Sequence, residues 1–278
     1  MSYSLVSHAD SGLNSANAQR AAQLDVVLLT GADRLSLDSV SFSLMDSCEG
    51  VIGIAYDVRV GDGLIDPDGT GDPGQPNLDM EVSRSVSMPN ESRLRSSRSH
   101  TCSMSDCCLT CTVKHDAAKV LERLQGQCGT VLISLPIGVE GTPVAQYLDD
   151  LFNLNEWGER MRIATIANAV GLDEFEERFF DDEPLCLSGA GEDDGVFDAR
   201  STGAVVSRLI REARHVLELP VAGTGCLARH VDAAGDCRCR DIIRAIAGDQ
   251  SIVYEDAHEI ALHDLMGVQE QGLTVPVE

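Results

Sequence analysis

Asp25-Val-Val-Leu-Leu-Thr30, closed by Gly31, reads as a buried strand that ends in a turn. Working outward, apolar residues at Leu35, Leu37, Val40, Phe42, Leu44 and Met45 predict a helix after it. Gly50-Val-Ile-Gly-Ile-Ala-Tyr-Asp57 predicts a second strand. Further on, Val113, Ala117, Val120, Leu121 and Leu124 recur at helical spacing. A strand over Thr130–Leu135 follows, then a helix opened by Thr142-Pro143, with proline in its first turn. A strand at Arg162–Asn168, a short acidic helix at Asp173–Phe180 and a helix at Thr202–Arg211 come next. The remainder reads as strand His215–Leu219, helix Cys239–Ala247, strand Gln250–Tyr254 and helix His258–Met266. Strands that alternate with helices need crossover connections, so the expected class is α/β with a largely parallel sheet.

The chain has 278 residues, long enough for a sizeable core. No apolar run is long enough to cross a membrane, so no membrane association is expected. The polar, Ser/Ala-rich stretch 1–23 lacks the apolar centre of a secretory signal and is read as a flexible leader, which makes the cytoplasm the default location. Residues 24–267 form the expected folded domain and 268–278 a tail. Within the domain, the Gly/Pro/Asp-rich and then Ser/Arg-rich stretch 61–101 is expected to be a long inserted loop. Its Arg84, Arg93, Arg95 and Arg98 are the one local basic cluster. Residues 183–198 read as an acidic, solvated loop. A net charge of −24 argues against a broad nucleic-acid surface.

Ten cysteines without an export signal are not a disulfide framework; clustered thiols in a reducing compartment point to metal or redox chemistry. The densest cluster is Asp106-Cys-Cys-Leu-Thr-Cys-Thr-Val-Lys-His-Asp116. Cys108 and Cys111 form a C-x-x-C pair, with Cys107, Cys102 or His115 available to complete a tetrahedral set and His100 near in sequence. The pair precedes a helix, whose N-terminus favours the metal-binding thiolate. Cys226, Cys237 and Cys239, with His230 between, form a second group of no recognisable ligand spacing. Cys48, Cys128 and Cys186 are read as small buried residues, and His8, His215, His258 and His263 as surface or packing residues.

The turn after the first strand fails as a phosphate loop. That loop needs G-x-x-x-x-G-K-[ST], so that glycine N–H groups, a lysine and a hydroxyl can surround phosphate and Mg²⁺. Counted from Gly31, those places hold Ser36, Leu37 and Asp38, and Asp38 sets a negative charge where phosphate would lie. Gly31 is then the vestige of such a loop, and GTP is not expected as a ligand.

Cys108, Cys111, Thr112, Val113, Lys114 and Asp116 resemble the motif C-x-x-C-T-[LV]-[RK]-x-D, a variant of the cysteine motif of the CobW-like P-loop GTPases and metallochaperones. Cys107 falls where that family has Gly, and Thr110 where it has its middle cysteine. Pro143-Val-Ala-Gln-Tyr-Leu148 is similar to the family's P-V-x-Q-x-L, and Asn168 stands where it commonly has Asp. Its E-x-x-G turn falls on Ser134 and Ile137, and its guanine-reading N-K-x-D on Pro220-Val-Ala-Gly223. The resemblance covers about residues 24–267, and the sequence ends at Glu278, short of the family's C-terminal domain. It implies a P-loop NTPase-like, Rossmann-type three-layer sandwich around a mostly parallel sheet. It also implies a degenerate nucleotide site and zinc held by Cys108, Cys111 and Cys107. A degenerate actinobacterial subfamily, which includes zinc-responsive factors that recruit a hibernation protein to ribosomes, shows the same combination. That similarity implies a link to zinc homeostasis or ribosome hibernation, with a ribosome-associated or zinc-dependent client as partner. The other reading that the family implies is an active GTP-binding metallochaperone with an atypical phosphate loop.

Overall fold

The computed structural model describes residues 23–60, 80–89, 100–102, 108–127, 129–187, 197–220 and 233–266. Strand β1 (Leu24–Gly31) is flanked on both sides by parallel partners, β5 (Gly129–Ser134) and β6 (Met161–Gly171). Beyond β5 lies β2 (Val51–Val60), and beyond β6 lie β9 (His215–Leu219) and β10 (Ile252–Tyr254), all parallel. The edge next to β2 is antiparallel: β3 (Met80–Ser87), then β4 (His100–Cys102). The full order is β10-β9-β6-β1-β5-β2-β3-β4.

Helices cover both faces, because β1 is apolar on both. Leu24, Val26 and Leu28 face one layer, with α2 (Leu109–Arg123) and α3 (Gly141–Leu154) packed on them. Val27 and Leu29 face the other, where α1 (Arg34–Asp46) lays down Leu37, Val40 and Leu44. Helices α5 (Thr202–Glu212) and α6 (Ala233–Ala247) continue the first layer over β6 and β9, with the short α4 (Phe175–Phe179) beside them. The expected three-layer α/β sandwich around a largely parallel sheet is therefore the observed one.

Several local expectations are corrected. The stretch 61–101 is not one loop: 80–87 and 100–102 pair as β3 and β4, since Val82, whose neighbours are polar, buries one face of the edge strand. Arg84 is not part of an exposed basic cluster but points inward to an ion pair. The acidic segment contains a small antiparallel pair, β7 (Pro184–Cys186) with β8 (Phe197–Ser201). The last expected helix is two 3-10 turns, Ala257–Glu259 and Leu262–Met266. Asp256 caps the first of these turns, and Leu262 and Leu265 pin the second. The leader 1–22, the tail from 267, residues 61–79, 90–99 and 188–196, and Cys128, Cys226, His8, His230, Arg93, Arg95 and Arg98 lie outside the described residues.

Two positions show how tightly the layers close. A Cβ on Gly203 would sit 2.3 Å from the Phe179 carbonyl oxygen, so α5 backs directly onto the end of α4. Gly203→Ala is expected to cost about 1–3 kcal/mol of stability, read by urea unfolding. His215 opens β9 at 1% exposure, its Nδ1 3.3 Å from the Tyr254 hydroxyl. Burial, reinforced by the Arg214 charge, holds its pKa down to about 4, against an ordinary value of about 6.5. The folded chain keeps this imidazole neutral while the unfolded chain protonates it, so its contribution is constant above pH ~6.5 and falls as pH drops toward 4. His215→Phe is expected to lack that fall, worth up to about 3 kcal/mol, when unfolding curves of the two proteins are compared from pH 7 to 4.5.

Candidate functional site

The C-x-x-C pair sits at the start of α2. Cys108 is the N-cap residue, in extended backbone geometry, and its Sγ accepts the Cys111 N–H at 3.3 Å. Serine and threonine usually do this work; a thiol sulfur takes the same place here. Thr112, 3% exposed, donates through both its N–H (3.1 Å) and its hydroxyl (3.2 Å) to the Cys108 carbonyl. This closes the first turn. Cys108 is exposed and Cys111 half-buried, so both thiols stand at the open end of the helix.

The other proposed donors are held elsewhere. Cys102 is buried in the core, and burial with the neighbouring Asp116 carboxylate pushes its thiol up to about 11. It is a protonated thiol at neutral pH. His115 packs on the Tyr147 ring of α3 at 5.1 Å, beside Lys114, whose Nζ lies 4.9 Å over the same ring. Cys107 lies outside the described residues. Among the described residues no group of three His, Cys, Asp or Glu side chains is placed to hold a metal ion. The chemistry of the two thiols fits zinc, but they supply only half of a tetrahedral set.

Asp116, the last residue of the motif, is an anchor rather than a ligand. It accepts the Tyr56 hydroxyl at 2.8 Å and the Arg84 guanidinium at 2.6 Å. The Arg84 and Asp116 side chains are only 11% and 15% exposed. This network ties α2 to β2 and β3 and so aims the thiol-bearing turn. Asp116→Ala strands a buried arginine, and a loss of about 3 kcal/mol in urea unfolding is expected.

The turn after β1 makes no phosphate cradle. Only Ala32 and Asp33 separate Gly31 from α1, and the Asp33 carboxylate accepts the Ser36 N–H at 2.7 Å. An anion would need that same helix N-terminus. Gly31 is explained by packing, since a Cβ there would lie 3.3 Å from the Leu37 side chain. The start of α3 is filled in the same way: Glu212 accepts the Gly141 and Thr142 N–H groups at 2.6 and 2.8 Å. Burial raises the Glu212 pKa and those hydrogen bonds oppose it. Near the carboxyl ends of the central strands, Ser134 hydrogen-bonds Ser41 (2.9 Å) and Asn168 donates to Thr30 (3.0 Å). A small depression of about 20 Å³ lies at the carboxyl ends of β1 and β6, lined by Ala32, Asp33, Asn168, Gly171, Phe175 and Arg178 among others.

Of the second cysteine group, Cys226 and His230 lie outside the described residues. Both described members lie on α6, Cys239 on its buried face and Cys237 exposed. Sequence reading missed Glu218, which is fully buried on β9 and accepts Arg240 Nε at 3.0 Å. Its signal, a glutamate inside the apolar run His215–Leu219, was present but unpaired until the fold brought α6 across it.

No protein-family model matches the chain, and no curated protein matches it. Among solved structures, a zinc(II)-bound triple mutant of the YjiA GTPase is similar over 84% of this chain and 57% of that one, with 10% identity and a TM-score of 0.43. The fold is therefore read from the strand order itself. Among the described residues no helix is long and apolar enough to cross a membrane.

Proposed function

We propose that this chain is a CobW-like zinc-binding or zinc-responsive regulatory protein, built on a nucleotide-binding scaffold that no longer serves nucleotide chemistry. Cys108 and Cys111 are its metal-binding thiols. The observation that carries the reading is their joint placement on the first turn of α2, with Asp116 of the same motif clamped to Arg84 and Tyr56 behind them. Cys107 is the third donor by its position in the sequence. When bound, zinc would supply a structural, charge-neutralised thiolate cluster; the chain's part is to orient Cys108 and Cys111. The absence of nucleotide chemistry is supported by Asp33 and Glu212 occupying the two helix N-termini where phosphate would need free N–H groups. The protein acts in the cytoplasm through a zinc-dependent or ribosome-associated protein client, in zinc homeostasis or ribosome hibernation.

Purified, reduced protein is expected to carry about one Zn²⁺ per chain by metal analysis, and the Cys108→Ser/Cys111→Ser variant to carry none. A parent protein that stays metal-free after zinc addition would sink the reading. Isothermal titration with GTP and Mg²⁺ is expected to show no binding in the micromolar range. Measurable affinity there would restore the GTP-binding metallochaperone as the better description.

A further inference from the structure

A different thiol is set up for reactivity at the opposite end of α1. Cys48 lies just past that helix, and its Sγ is 3.7 Å from Nδ1 of His263 on the second 3-10 turn. The other ring nitrogen, Nε2, lies 3.3 Å from the Asp264 carboxylate. The three groups form a line, thiol to imidazole to carboxylate, in which the two ring nitrogens face different partners. That is the arrangement of a proton relay, not of a chelate.

The line is held from both ends. The Ser47 hydroxyl donates to the Leu44 carbonyl (2.7 Å) and accepts the Leu262 N–H (2.9 Å), which ties the turn after α1 to the turn that carries His263. Asp264 is oriented by the Ala261 N–H, which it accepts at 2.9 Å. Leu262 and Leu265 anchor the turn in the core, while His263 and Asp264 remain exposed and Cys48 half-exposed.

Electrostatics agree with the geometry. Burial pushes the Cys48 thiol up, but its contacts with the His263 ring and main chain draw it below its ordinary range. The contact with Cys48, helped by Asp264, raises His263. The other charged groups on this turn are Asp46 and Glu49. The facing strand β5 begins Gly129-Thr130 and adds no charge there.

We propose that Cys48 is a solvent-accessible nucleophilic thiol, activated by His263, that exchanges with low-molecular-weight disulfides. His263 takes the Cys48 proton to give a thiolate–imidazolium pair. The thiolate attacks one sulfur of the disulfide, its S–S bond breaks as the bond to Cys48 forms, and the departing thiolate takes the proton back from His263. One thiol and one disulfide enter; one thiol and one mixed disulfide leave.

The test compares two cysteines in the full, reduced chain. Exposure alone predicts that Cys237 is modified before Cys48; activation by His263 predicts the reverse. With limiting iodoacetamide at pH 7 and peptide mass spectrometry, Cys48 is expected to react about threefold faster than Cys237 or more. His263→Ala, at an exposed position, is expected to bring Cys48 to the Cys237 rate or below it. Glutathione disulfide is expected to form its mixed disulfide on Cys48 first, reversibly by added thiol. A Cys48 rate below that of Cys237 in the parent, or one unchanged by His263→Ala, would overturn the proposal. Zinc content bears on neither outcome, because Cys108 and Cys111 remain intact in both proteins.

Discussion

A strand buried on both faces organises this molecule. Leu24, Val26 and Leu28 on one side of β1, and Val27 and Leu29 on the other, are all without solvent exposure. A strand of this kind must sit between two parallel neighbours and under helices on both faces. That single demand places β5 and β6 at its sides, α1 above it and α2 and α3 below. The edge of the sheet away from β1 departs from the parallel pattern, with β3 and β4 antiparallel.

The same demand decides what the ends of the helices can do. In scaffolds of this type, helix N-termini near the carboxyl ends of the central strands are ready sites for anions. Here Asp33 and Glu212 spend those N–H groups inside the protein. At the carboxyl ends of β1 and β6, Asn168 donates to the Thr30 hydroxyl, a neutral pair. The start of α2 differs from the other two, because a sulfur caps it and a second thiol lies one turn on. Both thiols of that turn stand at the open end of the helix, whereas the N–H groups of the other two turns are met by carboxylates of the chain.

Much of the architecture was legible from local pattern. The strands of the parallel sheet and the helices α1 to α6 fall where periodicity put them, to within a few residues at most ends. The errors share a cause. β3 carries only Met80, Val82 and Val86 among serines, a glutamate and one arginine, so its pairing with β2 could not be told from a polar loop without the partner strand. The last two turns carry helical spacing, yet the backbone is extended at Ile260 and divides them.

The sequence by itself determined the α/β class, the lack of G-x-x-x-x-G-K-[ST] after the first strand and the C-x-x-C turn before a helix, since each rests on residues close together in the chain. Only the tertiary structure decided which long-range partners those residues meet. Asp116 met Arg84 and Tyr56, Cys102 went to the core, Cys237 and Cys239 parted, and Cys48 met His263 across 215 positions. Spacing along the chain fixes which residues share a turn. Which turns lie against one another depends on how two apolar faces of one strand are covered at once, and no local pattern carries that information.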